Sequence, residues 1–345
     1  MAKFDSEERM KVALVGGETM LGKEIAEVLE NRAPGTTLVS FAANGEGNFG
    51  EADGEAVYIE PLEPRTIQGT RAVLLAGSPD GARKAYETSQ ASGGQPVIID
   101  CTGHLEHQPE ARILAPLLSD FELGQSWVLV VAHPAASALA ITLVRLGRYK
   151  KIRQAIAHVF EPASELGKRG ITELQQQTTS LLSFKPLDKQ VFDAQLSFNL
   201  LSQLGEEAVV KLSAVEGRIE RDVAAILSGD RTARAIPLPS VRVIAAPVFH
   251  GYSISLWVEF EGGIDAQEIG EALASAQVEV RGRNEEPPNN VDAANQSGLI
   301  AGDIRLDRNN PHASWLWMAA DNLRLTADAA ADILNKLGRS RSENA

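Results

Sequence analysis

Cysteine is nearly absent: the 345 residues hold one, Cys101. That excludes an internal disulfide and fits a reducing, cytoplasmic setting. Basic residues are in deficit, with 33 Lys and Arg against 46 Asp and Glu and a net charge of -13. Such a balance argues against nucleic acid or an anionic membrane surface as a partner, and leaves room for a local cationic pocket. Nowhere do about 18 apolar residues run together, so no membrane span is expected. The opening MAKFDSEERM is polar and lacks the apolar segment of a signal peptide. Internal repeats and coiled-coil heptads are also missing. What is present is a chain 44% hydrophobic and 23% charged, long enough for two ordered globular domains.

Short all-apolar runs alternate with helical patterns through the first 132 residues. Met10 to Val15, Thr37 to Phe41, Ala72 to Ala76, Val97 to Asp100 and Trp127 to Ala132 read as strands. Helices are predicted from Gly22, with Ile25, Val28 and Leu29 on one face, and from Gly81 to Ser92. This alternation predicts a parallel sheet covered on both faces. The glycine-rich run 45–54 reads as a surface loop. Beyond it the pattern changes. A helix is expected at Ala138–Leu146, a strand at Ile152–Phe160, a helix at Ile171–Leu182 and a long helix at Glu206–Ser228. The last carries Val209, Leu212, Val215, Ile219, Val223 and Ile226 as its apolar stripe. Strands at Arg242–Pro247 and Tyr252–Phe260, a helix at Ala266–Ala276 and a final helix from about Leu323 to Leu337 complete a mixed-sheet region.

Between the first strand and helix stands V-G-G-E-T-M-L-G, where a dinucleotide-binding turn belongs. Gly16, Thr19, Met20, Leu21 and Gly22 are the candidate cofactor-binding residues. Thr19 stands where G-x-x-G-x-x-G has its middle glycine, and its side chain crowds the approach to a pyrophosphate. Backbone donors at the helix start still offer a phosphate site. No arginine occurs between 33 and 64 to hold the 2′-phosphate of NADP, and no acidic residue ends the second strand to grip the ribose of NAD. The expectation is therefore NAD or NADP, weakly held or not at all.

Four segments carry a family resemblance. H-P-A-A-S-A at 133–138 resembles the N-P-x-C-S-T segment of aspartate-semialdehyde dehydrogenases, and D-N-L-R at 321–324 resembles their helix entry. T-E-L-Q-Q-Q-T-T-S-L-L at 172–182 and L-S-F-N-L-L-S-Q-L-G-E-E at 196–207 are similar to family segments as well, the latter with Ser202 where proline is usual. The likeness is closest to the usg-type homologues, which lack the catalytic cysteine. It implies a Rossmann-like domain over 1–132, on which a helix at 321–338 packs back. It also implies an α+β mixed-sheet dimerisation domain over 133–320. The resemblance further implies a homodimer, with Ile152–Phe160 and Val191–Leu201 on its face, and an NADP-dependent enzyme of amino-acid biosynthesis as ancestor.

The same likeness assigns roles that this chain does not fill. The family's nucleophilic cysteine matches Ala136, and its general-base histidine matches Tyr252, with His133 and His250 nearby. The substrate-carboxylate arginine matches Ala245, the phosphate-binding arginine matches Glu106, and the orienting glutamine matches Glu161. Alanine cannot carry a thioester. Five replaced roles against a kept scaffold predict a degenerate, non-catalytic homologue, a pseudoenzyme. The alternative is an NAD(P)-dependent oxidoreductase with an altered site, for which His250 would have to turn toward Tyr252 as an i, i+2 strand neighbour.

Other candidates have plainer readings. Cys101, His104 and His107 give C-x-x-H-x-x-H, three ligand types at short spacing, which reads as loop lining and not as a metal site. Ser137 with His133 or His250 is a conceivable acyl-transfer pair, but its expected role is capping a helix from Ala138. Asp321 is expected as an N-cap, and Trp315 and Trp317 as packing residues at an edge or interface.

Overall fold

The computed structural model describes residues 9–52, 55–116, 126–229 and 233–342. The chain divides into two compact units, one of residues 1–132 with 326–345 and one of residues 133–325.

The first unit is built on β1 (Met10–Val15), β2 (Thr36–Phe41), β5 (Ala72–Leu75), β6 (Val97–Asp100), β7 (Ala111–Leu114) and β8 (Val128–Val131), in the order β2-β1-β5-β6-β8-β7. Every pairing in this sheet is parallel. A parallel sheet needs apolar cover on both faces, and alternate residues supply it. Val12, Leu14, Leu74 and Ile99 face α1 (Met20–Arg32) and the later part of α8 (Asn322–Ser342), meeting Ile25, Leu29, Ala330, Ile333 and Leu334. Ala13, Val15, Val73 and Ile98 face the other way, toward Ala82 and Ala85 of α2 (Pro79–Ala91). Arg32 ties the two helices on the first face through Asp328 at 2.6 Å and Asp332 at 2.7 Å.

Two features here depart from the sequence reading. The run 45–54 is not all loop: β3 (Asn48–Ala52) pairs antiparallel with β4 (Glu55–Ile59) as a separate ribbon, while 53–54 lie outside the described residues. Strand β7 also went unread. Its A-R-I-L lies at the sheet edge with Arg112 exposed, so it lacks the continuous apolar signature of its neighbours.

The second unit has a mixed sheet in the order β10-β9-β11-β14-β13-β12. Its strands are β9 (Ile152–Glu161), β10 (Ser240–Ala245), β11 (Tyr252–Phe260), β12 (Val278–Val280), β13 (Leu299–Leu306) and β14 (Ala313–Ala320). One face is buried by Ala155, Ala157 and Val159 of β9 and by Ile254, Leu256 and Val258 of β11. Helices α3 (Pro134–Tyr149), α5 (Leu212–Gly229) and α6 (Ala266–Leu273) belong to this unit, as do α4 (Gly167–Leu182) and the short α7 (Asn290–Ala293). The opposite face carries cross-strand rows, His158–Ser255–Trp317 and Ile156–Trp257–Trp315, all at least partly exposed. Asp307 Oδ2 accepts from both Trp257 Nε1 at 2.9 Å and Trp315 Nε1 at 3.1 Å, which fixes the two indoles.

Several helix boundaries needed correction: α4 starts at Gly167 and not Ile171, α6 ends at Leu273 and not Ala276, and two others move named residues. Helix α5 starts at Leu212, not Glu206, so Val209 lies outside it and is 56% exposed. Helix α3 starts four residues before the expected Ala138, because His133 is its cap and Pro134 fits the first helical position. Ser137 is therefore not the cap but lies buried inside the helix.

Candidate functional site

The turn after β1 is shaped by glycine at two points. Gly16 has φ +90, and a Cβ there would meet Gly77 backbone at 2.7 Å. A Cβ on Gly22 would fall 2.0 Å from Gly16 O. Thr19 is the N-cap of α1: its Oγ1 accepts from Gly22 N at 2.9 Å. The hydroxyl proton points to the carbonyls of Gly16 at 2.8 Å and Ala76 at 2.9 Å. The side chain thus takes a first-turn N–H that an anion would otherwise meet, and Met20 N–H and Leu21 N–H are the donors left for a pyrophosphate. Just before the cap, Glu18 Oε1 accepts from Ala43 N at 2.7 Å, two residues beyond β2. Glu18 Oε2 is sealed from solvent and has no hydrogen-bond partner among the described residues. Sequence spacing hid Glu18, because it comes from the turn and not from the strand it reaches.

The second unit holds a buried polar chain. His133 N donates to Asp222 Oδ2 of α5 at 2.7 Å, and Ala135 N donates to His133 Nδ1 at 3.2 Å. An accepting Nδ1 leaves the ring proton on Nε2. That nitrogen lies 3.5 Å from the Tyr252 hydroxyl and 4.0 Å from Glu165 Oε2. Tyr252 is wholly buried and is hydrogen-bonded to Glu165, whose Oε1 also accepts from Asn322 Nδ2 at 2.7 Å. Ser164 Oγ bridges Asn322 Oδ1 and His250 Nδ1, each at 3.2 Å.

Burial sets the protonation of this chain. It lowers the pKa of the His133 imidazolium well below the usual range, with Arg218 adding to the shift. It lifts the Tyr252 phenol well above 10, helped by Glu165 and Glu161. Glu161 is pushed up to about 8, by burial first and by the charge of Glu165 second. The resulting array is a neutral imidazole, a protonated phenol and a protonated carboxyl at neutral pH. The imidazole has one nitrogen bonded to backbone and the other protonated, so it offers no free base.

His250 does not join Tyr252. Gly251 at φ +81 turns the chain between them, and β11 begins only at Tyr252. His250 Nε2 instead meets Asp321 Oδ2 at 2.8 Å. Asp321 caps α8, its Oδ1 accepting from Leu323 N and Arg324 N at 2.9 Å each.

Comparison with known proteins places this geometry. The family model of the semialdehyde dehydrogenase dimerisation domain matches residues 148–325. The chain belongs to this family. A USG-1 protein homolog of Pseudomonas aeruginosa is 28% identical over 334 residues, covering 95% of this chain and 97% of its own length. Aspartate-semialdehyde dehydrogenase of Rickettsia bellii is 24% identical, with 92% and 94% covered. Among solved structures, aspartate semialdehyde dehydrogenase II of Vibrio cholerae superposes with a TM-score of 0.82 at 22% identity, over 96% of this chain and 99% of that one. At that identity the likeness speaks for the fold.

Within the semialdehyde dehydrogenase family this chain is a degenerate member. Ala136 sits in the first turn of α3 with no exposed surface. Tyr252 opens β11 and is held by Glu165, a residue the sequence reading did not single out. Arg242 does not stand in for a clamp at Ala245: it is exposed on the other strand face and lies 3.5 Å from Glu216 Oε1. Glu106 lies 3.4 Å from His107 in the loop after β6. That loop is organised by Asp100, which accepts from the backbone of Thr102, Gly103 and Leu105. Cys101 is buried there, with its thiol pKa pushed up by burial and by Asp100, while His104 and His107 are exposed. Among the described residues no three His, Cys, Asp or Glu side chains group as metal ligands.

Proposed function

We propose that this chain is a non-catalytic member of the semialdehyde dehydrogenase family, a homodimer that keeps weak affinity for a nicotinamide dinucleotide at Gly16, Thr19, Met20, Leu21 and Gly22. The observation that carries the reading is the buried chain His133–Tyr252–Glu165–Asn322 beside the helix turn of Ala136. A thioester mechanism needs a nucleophile and an open base. Here the nucleophile position is a methyl group and the base position is a phenol that burial keeps protonated. An altered oxidoreductase would need His133, His250 and Tyr252 to converge, and His250 is drawn instead to Asp321 and Ser164. The net charge of -13 disfavours nucleic acid as the partner. Among the described residues no helix is long and apolar enough to cross a membrane.

The test is turnover of purified protein with L-aspartate semialdehyde, phosphate and either nicotinamide cofactor. No turnover is expected, and a rate above about 1 per second, ordinary for an enzyme, would sink the reading. Ala136→Cys alone should not restore activity, since the new thiol would have neither base nor clamp. A clear gain from that single change would show that other residues supply both.

A further inference from the structure

Helix α4 breaks a local rule at its start. The helix dipole places positive charge at the first turn, which favours acidic side chains there. The first turn of α4 has none and carries Lys168 and Arg169 instead. Both are exposed, and neither forms an ion pair or hydrogen bond among the described residues. They open onto a cleft of about 420 Å³. Lys168, Arg169, Thr172 and Gln176 line it from α4, and Asp188 and Gln190 line it from the segment that follows the helix. None of Ala136, Glu161, Ala245 and Tyr252, the positions matched to family roles in this unit, lines it. Buried side chains fix that second wall to the helix. Glu173 accepts from Val191 N at 2.6 Å and from Phe192 N at 3.1 Å. Gln177 accepts from Leu196 N at 2.8 Å and donates to Asp188 O at 2.9 Å. The cleft is thus formed before any ligand arrives, which lowers the cost of binding one.

We propose that this cleft binds a small organic anion, its carboxylate or phosphate group at Lys168 and Arg169 and an ammonium or hydroxyl donor at Asp188. The volume of 420 Å³ falls within the roughly 300–1,000 Å³ of ligand pockets, and a bare inorganic ion would leave most of it to water. Positions 168 to 176 span about 12 Å of helix, which bounds the length of the ligand. A guanidinium gives a carboxylate or phosphate two parallel N–H donors, and the neighbouring ammonium adds a point charge. The Thr172 hydroxyl and the amides of Gln176 and Gln190 both donate and accept, which suits the middle of a polar molecule. Glu173 is taken up by the backbone N–H groups of the wall. Asp188 is the acidic group left to read the far end of the ligand. A bound anion also offsets the unfavourable cations at the helix start.

The probes are O-phospho-L-serine, which carries anionic groups and an ammonium, succinate, which carries carboxylates alone, and neutral glycerol. Calorimetric titration of the full chain at fixed ionic strength should give a dissociation constant of about 1 mM or tighter for phosphoserine. Succinate should bind more weakly and glycerol not at all. The double variant Lys168→Ala, Arg169→Ala should weaken phosphoserine at least about tenfold. Both side chains are exposed, so the melting temperature without ligand should not move. Gln176→Ala leaves the charge alone and should still weaken binding severalfold. Asp188→Asn should weaken phosphoserine, which loses the partner of its ammonium, and strengthen succinate, which loses a repelling charge. A gain for both anions in that variant would mean general charge attraction and would overturn the proposal. So would binding of neither anion at tens of millimolar, or an affinity that the double variant leaves unchanged.

Discussion

A carboxyl group that keeps its proton at neutral pH leaves a mark on folding. Glu161 is raised to about 8 in the folded chain, from an ordinary 4.5. The folded state then binds more protons than the unfolded one between those two values. Stability is full below about pH 4.5 and falls as pH rises toward 8, by on the order of a few kcal/mol. Glu161→Gln removes this titration while keeping the shape. Urea unfolding at pH 5, 6.5 and 8 should show the variant gaining on the parent as pH rises, and parallel curves would refute the assignment. Tyr252→Phe acts in the opposite sense. It strips Glu165 of a donor and His133 of its neighbour, and should destabilise by about 1–3 kcal/mol. A neutral effect would mean that the phenol is not part of the chain that replaces the catalytic pair.

Elements with one strong signal were readable, and those with a divided signal were not. Buried strands such as Ala72–Leu75 announce themselves because all their residues are apolar. Strand β7 and the β3–β4 ribbon carry polar residues and glycine, and their pairing comes from partners distant in sequence or from a turn. The start of α3 was misplaced because histidine is an uncommon cap and its role depends on Asp222, which lies 89 positions further along. The same cause hid Glu18 and Glu165: each matters through a partner on another element, Ala43 or Tyr252. Helix α1 offers a test at this scale. Thr19→Gly should cost about 1 kcal/mol or less through the lost cap. It also frees Gly22 N–H toward a pyrophosphate, so dinucleotide affinity should rise severalfold in calorimetry. Unchanged affinity would move the obstacle to the adenosine side, around Ser40 to Asn44.

For the molecule as a whole the exposed rows of the second unit's sheet call for a partner surface. Tryptophans 257, 315 and 317 on one sheet face are an unusual load for solvent, and aromatic residues favour interfaces. Light scattering should give about 74 kDa, twice the chain mass of 37.0 kDa. Trp317→Glu should shift the distribution toward monomer at micromolar concentration, and a parent protein that is monomeric there would defeat the dimer proposal. The make-up of the first unit has a consequence for biosynthesis. Its core is completed by Ala327, Ala330, Ile333 and Leu334, which are translated only after residues 133–325. Residues 1–132 must therefore wait, with one face of their sheet covered by α1 alone, while residues 133–325 are made. At about 5–20 residues per second that wait lasts on the order of tens of seconds. A nascent chain stalled before Thr326 would present that half-covered face to chaperones and proteases, and quality control at α8 would act on strands translated well before it.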